Sequence, residues 1–310
     1  MQAHDFEPMS IGGILDRTFR IYKDSFVRFV TIVAVIQVPI ALLTLISTSA
    51  FRRGVPVRQQ TYEPSERGGR QGREYTVVEG RRARVSATRQ DVAGPAAAIF
   101  GGLGLVVAGI LGLLGQVLCS GALTKSVSES YLGNEITVGQ AYSFILPKFL
   151  TLIWAGICVV LLVWLGLLLL VVPGIIFGLW YALTNPAIVV ENLKASKGMS
   201  RSKALASGNL GKIFCVGFLV ILLSMVLSMP ATYVGAFLGS FVFPNNAMLM
   251  IFVNQFFSVV ANILIVPIGA TAYILLYYDL RIRKEGFDLQ MLAESIGSGQ
   301  GAANVDQPQQ

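Results

Sequence analysis

The spacing of charged residues constrains the fold most, because it leaves four long segments without any Asp, Glu, Lys or Arg. A charged side chain at the centre of a bilayer costs about 3 kcal/mol or more. A membrane-spanning helix needs about 20 apolar residues in a row, and each segment meets this length. The segments are residues 29–51, 92–124, 149–190 and 213–278.

Two of these segments are long enough for two crossings. Segment 149–190 contains Pro173-Gly174 near its middle, where proline removes a backbone donor and glycine permits a reversal, so we predict a helical hairpin that turns there. Segment 213–278 is interrupted by residues 243–246, which divide it into spans of about 213–241 and 247–278. The predicted fold class is all-α, a polytopic helical membrane protein with about six transmembrane helices.

Composition agrees with this class, since 54% of the residues are hydrophobic and 13% are charged, whereas a soluble domain has about 25% charged residues. Pro39, Pro230 and Pro267 fall inside predicted spans. We expect each span to be kinked or partly unwound at its proline, which membrane helices tolerate.

Three stretches that begin with Ser or Thr precede the first, third and fifth spans, at Ser10, Thr137 and Ser200. A Ser or Thr side chain can cap a helix by accepting a backbone N–H bond. We therefore predict three units of one short surface helix and two spans, at about residues 10–134, 137–197 and 200–290, within one membrane domain 1–296.

The first surface helix has an apolar side and a basic side, typical of an interfacial amphipathic helix. We expect its apolar residues at the acyl boundary and its basic residues at anionic lipid headgroups. The alternative is that the helix packs on protein and caps the bundle. The apolar residues are Ile11, Ile14, Leu15, Thr18, Tyr22 and Phe26, and the basic residues are Arg17, Arg20, Lys23 and Arg28.

Basic residues near the spans also predict orientation, because short basic loops stay in the cytoplasm. We therefore predict a protein of the bacterial plasma (inner) membrane with both termini on the cytoplasmic side. This orientation places the loop 52–91, which holds ten arginines, on the outer side of the membrane. This loop either contacts polyanionic surfaces or is a solvated charged loop. Residues 297–310 are small and polar and predict a disordered tail.

Polar residues inside the apolar segments are the candidate functional positions, together with neighbouring prolines. Proline-broken helices can expose carbonyls beside side-chain amides, as at the midplane sites of transporters. The alternative is hydrogen bonding between helices that fixes the bundle. The positions are Gln37, Pro39, Asn185, Pro186, Asn254, Gln255, Asn262 and Pro267.

Groups that could perform chemistry are few. His4 is the only histidine, and the three cysteines lack paired spacing. We identify no catalytic motif and no metal-ligand cluster, so we predict no metal, no cofactor and no enzymatic activity.

Three stretches resemble the membrane domain of some bacterial glycerophosphoryl diester phosphodiesterases, which also occurs alone as uncharacterised membrane proteins. They are residues 10–22, residues 173–191 and residues 277–288, which reads Tyr-Tyr-Asp-Leu-Arg-Ile-Arg-Lys-Glu-Gly-Phe-Asp. The resemblance implies a helical membrane bundle. It does not imply the esterase reaction, because that activity belongs to a separate barrel with catalytic histidines.

The leading hypothesis is a non-catalytic membrane protein that organises lipids or partner proteins. Its expected binding partners are membrane lipids, another protein or a second copy of the chain, and no nucleic acid. The first alternative is a transporter of a small solute or lipid, favoured by the proline-broken spans. The second is a lipid-modifying enzyme that uses carboxylates at the membrane edge.

Overall fold

The computed structural model describes residues 9–54, 95–244 and 246–286. These residues form ten α-helices and no β-strand, which confirms the all-α prediction. The helices are α1 (Ile11–Asp24), α2 (Phe26–Gly54), α3 (Pro95–Tyr131), α4 (Val138–Ile145), α5 (Phe149–Leu169), α6 (Val171–Tyr181), α7 (Thr184–Val190), α8 (Ala195–Ala206), α9 (Leu210–Val242) and α10 (Ala247–Glu285).

Six helical segments are long and apolar enough to cross a membrane, as predicted. A 3₁₀ turn at Leu146–Lys148 joins α4 to α5 within the third segment. The segments are Phe26–Arg52, Ala96–Tyr131, Val138–Leu169, Val171–Val190, Leu210–Val242 and Ala247–Glu285. The arginine-rich loop, apart from its first residues, and the tail 297–310 lie outside the described residues.

The hairpin between the third and fourth segments turns at Leu170, whose backbone is extended, and the predicted turn at Pro173-Gly174 is wrong. Pro173 lies in the first turn of α6, where a missing N–H removes no helical hydrogen bond. Gly174 instead allows close packing, because a Cβ added to Gly166 of α5 would lie 2.8 Å from the Gly174 Cα. Pro173 is therefore compatible with the first turn of α6, and Gly174 lets α6 pack closely against α5.

The spans run through their prolines without interruption. Pro39, Pro230 and Pro267 all lie inside continuous α-helices, so the expected partial unwinding does not occur there. The break lies between α6 and α7, just before Asn185-Pro186.

The described residues form two compact units. One comprises the chain up to Leu42 and from Gly109 onward, and it contains the hydrophobic core. The other comprises Leu43–Ala108, where Gly101 and Gly104 of α3 pack closely on Phe51 and Ser47 of α2.

The order of one short helix followed by two spans occurs three times, where α6 and α7 together form one span, and we call each set a triplet: α1–α3, α4–α7 and α8–α10. Ser10 caps α1, and Thr137 caps α4 with a reciprocal bond from its backbone N–H to Gln140. The third start differs from the prediction, since α8 begins at Ala195 and contains Ser200 in its middle. The proposed domain limits stay a prediction.

Candidate functional site

Each short helix donates a side-chain hydroxyl hydrogen bond to a backbone carbonyl of a span in another triplet. Tyr22 of α1 bonds Leu264 of α10 at 3.0 Å. Tyr142 of α4 bonds Ile32 of α2 at 2.6 Å, and Ser202 of α8 bonds Trp180 of α6 at 2.7 Å. The short helices thus tie the three triplets together, which no local sequence pattern indicates.

The apolar side of α1 packs on protein and not only against lipid. Ile14 and Thr18 are fully buried, and Thr18 bonds the Ile14 carbonyl at 2.7 Å. Tyr22 is half-buried, whereas Phe26 remains 39% exposed. The expectation that this whole side faces the acyl boundary is therefore wrong for Ile14 and Thr18. Helix α10 offers an apolar surface that a sequence pattern cannot distinguish from lipid.

The four basic residues of the predicted surface helix divide into two pairs, and Arg28 lies on α2 rather than on α1. Arg20 and Lys23 are exposed. The Arg17 guanidinium lies 4.7 Å from the centroid of the Tyr131 ring, a cation–π distance. Arg28 bonds the Ser130 hydroxyl at 3.3 Å and lies 3.8 Å from Glu135. Arg20 and Lys23 are thus the pair that the structure presents at the surface.

Asp279, near the end of α10, is a fully buried carboxylate with three kinds of donor. It accepts the Met9 backbone N–H at 2.7 Å, the Lys212 amine and the Arg283 guanidinium at 3.1 Å. Lys212 and Arg283 also bond the Met9 carbonyl at 2.6 and 2.9 Å. This arrangement fixes the chain at the start of α1 to α9 and α10. A buried charge needs such pairing, because an unpaired one is costly.

A second charged cluster joins α7, α8 and α10. Arg201 of α8 bonds Glu191 at 2.8 and 3.0 Å and also pairs with Glu285. Tyr277 donates its hydroxyl to Glu191, and Arg281 bonds Glu285 at 3.1 Å. The bond to Glu285, and then that to Glu191, raises the pKa of Arg201 above its ordinary value against the opposing effect of burial. The cluster holds opposite charges within hydrogen-bonding distance.

These clusters bring together the three stretches that carried the family resemblance. Met9 precedes the first stretch, Glu191 ends the second, and Tyr277 and Asp279 belong to the third. The sequence contains the residues but not their pairing, since Met9 and Asp279 are 270 positions apart.

Two lysine side chains contact one aromatic ring. The Lys125 and Lys148 amines lie 4.3 and 3.5 Å from the centroid of Phe144. Lys125 also pairs with Glu129. Within the described residues, the buried Lys148 amine has no hydrogen-bond partner. No local sequence pattern indicates this arrangement, because Lys125 lies on α3 and Lys148 lies in the 3₁₀ turn after α4.

A groove of about 420 Å³ lies between α1 and the end of α3. It contains both signs of charge, because Asp16, Arg17 and Arg20 of α1 all line it. We call it the α1–α3 groove. Its lining is Gly13, Asp16, Arg17, Arg20, Ile21, Ser130, Tyr131 and Gly133.

The predicted amide positions do not converge on one site. Asn254 of α10 bonds the Thr232 carbonyl of α9 at 3.3 Å, and Asn262 bonds Ser258 of its own helix at 2.9 Å. The Asn185 side-chain oxygen is buried without a hydrogen-bond partner in the described residues. Gln37 on α2 and Gln255 on α10 are half-buried.

The associated prolines also separate. Pro39 is exposed on α2, whereas Pro186 of α7 and Pro267 of α10 are buried. In the described ranges, no group of three or more His, Cys, Asp or Glu residues is placed to hold a metal ion.

Comparison with known proteins gives one informative likeness. Over 104 residues, or 33% of the chain, the sequence is 35% identical to a UPF0259 membrane protein of Sodalis glossinidius. The match spans 40% of that relative's length. No protein-family model and no solved structure matches the chain.

The resemblance to the phosphodiesterase membrane domain stays a prediction. The six apolar spans and the likeness to a membrane protein identify the chain as a multi-pass helical membrane protein.

Proposed function

We propose that the chain is a non-catalytic protein of the bacterial plasma membrane that binds and organises anionic lipids at the cytoplasmic surface. The observation that carries this proposal is the surface of α1. Arg20 and Lys23 are exposed there, beside Phe19 of α1 at 43% exposure and Phe26 at the start of α2 at 39% exposure. Basic residues attract anionic headgroups, and neighbouring aromatic rings insert at the interface.

The orientation with both termini in the cytoplasm is supported by where basic residues meet. Arg28 bonds the end of α3, Lys212 bonds Asp279, and Lys284 bonds the carbonyls of Ala204 and Ser207. These contacts gather basic residues from several helices at one end of the larger compact unit. Basic residues beside spans favour the cytoplasmic side.

The charged clusters support a structural role for the carboxylates at this end. Asp279, Glu191 and Glu285 each pair with at least one Arg or Lys. The bonds to Lys212 and Arg201 join α10 to α9, α10 to α8, and the end of α7 to α8. These residues therefore suit the fastening of helices to one another.

Transport of a small solute or lipid is the second candidate, and Asn185 is the observation that favours it. Its buried side-chain oxygen has no hydrogen-bond partner in the described residues and lies just after the break between α6 and α7. Polar groups at helix breaks form transport sites in other membrane proteins. Uptake by proteoliposomes that Asn185→Leu abolishes without loss of folding would favour transport over lipid organisation.

The proposed function can be tested by lipid enrichment. The full chain is placed in nanodiscs containing phosphatidylglycerol and phosphatidylcholine, and lipids that remain bound after detergent extraction are counted by mass spectrometry. We expect enrichment of phosphatidylglycerol that falls with added salt, because salt screens exposed charges. The double variant Arg20→Gln/Lys23→Gln should lose most of this enrichment.

The matched control is Lys194→Gln/Lys197→Gln, which removes the same charge from exposed positions near α8. It should retain most of the enrichment. An equal loss in both double variants would show that net charge alone acts, and no enrichment in the unmodified protein would overturn the proposed function.

A further inference from the structure

We propose that the α1–α3 groove is a binding site for the phosphoethanolamine headgroup of a membrane lipid. Arg17 and Arg20 would bind the phosphate, and Asp16 would bind the primary ammonium group. This inference rests on the proposed function, because it adds a zwitterionic lipid, held by its phosphate, to the lipid-binding surface proposed for the same helix.

The groove has the size and lining of a ligand site. Its volume of about 420 Å³ lies within the range of roughly 300–1,000 Å³ for small-molecule sites. Ile21 and Tyr131 supply apolar surface, and Ser130 supplies a hydroxyl. A headgroup with two charged ends can therefore meet both polar and apolar walls.

The position of Arg17 is fixed by a stack of side chains. Its guanidinium lies 4.7 Å from the Tyr131 ring centroid, and Tyr131 stacks on Tyr278 at 4.8 Å. The Tyr278 hydroxyl is bonded to Ser128 at 2.7 Å. An arginine already held in place loses less side-chain entropy on binding, and its planar group suits a phosphate.

Arg20 adds a second cation on the same wall. It lies three residues after Arg17, a spacing that places both side chains on one strip of a helix. Arg20 is exposed and lines the groove. Two guanidinium groups can donate several charge-assisted hydrogen bonds to one phosphate.

Asp16 decides which headgroup fits. It lines the same groove as both arginines. A headgroup with a phosphate and no amine leaves Asp16 without a cationic partner. A trimethylated amine has no N–H to donate, so it forms a weaker contact than a primary ammonium group. The arrangement of one carboxylate and two arginines therefore favours phosphoethanolamine.

Nearby surface favours a lipid over a soluble ester of the same chemistry. Phe19 on α1 is 43% exposed. Helix α3 has 37 residues, or about 55 Å at 1.5 Å per residue, which exceeds the hydrocarbon thickness of roughly 30 Å. Lys125 and Glu129 mark the polar end of α3 that borders the groove. The groove thus lies where headgroups are found.

The test measures binding of defined lipids to the full chain in detergent by native mass spectrometry. The probes are phosphatidylethanolamine, phosphatidylcholine, phosphatidylglycerol and soluble glycerophosphoethanolamine. We expect phosphatidylethanolamine to bind about tenfold more tightly than phosphatidylcholine, the ratio that one additional charged hydrogen bond produces. Soluble glycerophosphoethanolamine should bind much more weakly than the lipid.

The variants assign the two ends of the headgroup. Asp16→Asn should abolish the preference for phosphatidylethanolamine over phosphatidylcholine and should weaken phosphatidylcholine binding less than phosphatidylethanolamine binding. Arg17→Gln/Arg20→Gln should weaken binding of both lipids. The matched control is Asp24→Asn on the last turn of α1, outside the groove, which should retain the preference. Circular dichroism and thermal unfolding establish that each variant is folded.

Three outcomes would overturn the inference: equal affinity of the unmodified protein for both lipids, equal loss of preference in Asp16→Asn and Asp24→Asn, or equally tight binding of the soluble ester. None of these outcomes removes phosphatidylglycerol enrichment in nanodiscs. Failure of the headgroup site and failure of the proposed function are therefore distinguishable.

Discussion

The two halves of α10 show how differently one helix can be stabilised along its length. From Pro267 to Ile282 most side chains are buried, and Tyr277, Tyr278 and Asp279 bond other helices. Before Pro267 only Ala261 is buried, and Phe252 and Phe256 are about half exposed. Lipid is as apolar as these side chains, so burying them between helices yields little free energy. Stability of the bundle should therefore reside in the second half and its partners.

The largest effect should come from Asp279→Ala, which removes the carboxylate shared by Met9, Lys212 and Arg283. Breaking a buried pair leaves the partner cations uncompensated, so we expect a loss of about 3–5 kcal/mol in the free energy of unfolding. Unfolding in mixed micelles of increasing SDS content measures this change.

The matched control is Asp24→Ala, since Asp24 is an exposed carboxylate on α1. An exposed substitution of this kind should change stability by less than about 0.5 kcal/mol. If Asp279→Ala lowered the free energy of unfolding by no more than Asp24→Ala, the two halves of α10 would not differ in their contribution to stability.

The next effect concerns packing between α7 and α8. A Cβ added to Gly198 would lie 2.3 Å from the Ile188 Cγ1, and Ile188 is fully buried. Gly198→Ala should therefore lower the free energy of unfolding by about 1–3 kcal/mol through overpacking. The same substitution at Gly211 meets nothing within 4 Å, and in a helix it should stabilise by roughly 0.5–1 kcal/mol. Effects of the same sign at both glycines would contradict this account.

The positions of the spans could be predicted from sequence, because the cost of burying charge in hydrocarbon acts locally along the chain. The hairpin turn was displaced to Leu170 because a proline is compatible with the first turn of a helix as well as with a reversal. The burial of Ile14 and Thr18 was missed for another reason. An apolar stripe has the same pattern whether it meets lipid or protein.

The candidate site was less accessible to sequence reasoning than the fold. Arg17 and Arg20 were identified from helical spacing, and the structure places both in one groove. No sequence feature indicates that Asp16 lines the groove or that Asp279 belongs to the buried cluster. Their partners lie on helices distant in sequence, and one sequence carries no signal of such pairing.

A smaller effect tests the hydroxyls that join the triplets. Tyr142→Phe removes the 2.6 Å hydrogen bond to the Ile32 carbonyl. That carbonyl lies within α2 and keeps its helical partner, so the cost should be about 1 kcal/mol. Unfolding in the same micelles checks the value against Tyr233→Phe, where Tyr233 is 70% exposed. Equal stability of the two variants would show that the hydroxyl hydrogen bonds between triplets contribute nothing measurable to stability.

The smallest effect should come from Lys148→Met, which tests whether a charged group without a hydrogen-bond partner contributes to stability as the bonded charged pairs do. The Lys148 amine is buried against Phe144 and has no hydrogen-bond partner in the described residues, while Lys125 lies beside the same ring. Methionine keeps most of the length of the chain, retains a favourable contact with the ring and removes a like charge. The favourable cation–π contact is lost, but so is the cost of holding an unbonded cation away from water. We therefore expect a change between zero and about 1 kcal/mol of added stability, measured in the same micelles. A loss of several kcal/mol in the free energy of unfolding would show that the protein needs the positive charge of Lys148. Stability around Phe144 would then depend on total positive charge as well as on bonded pairs.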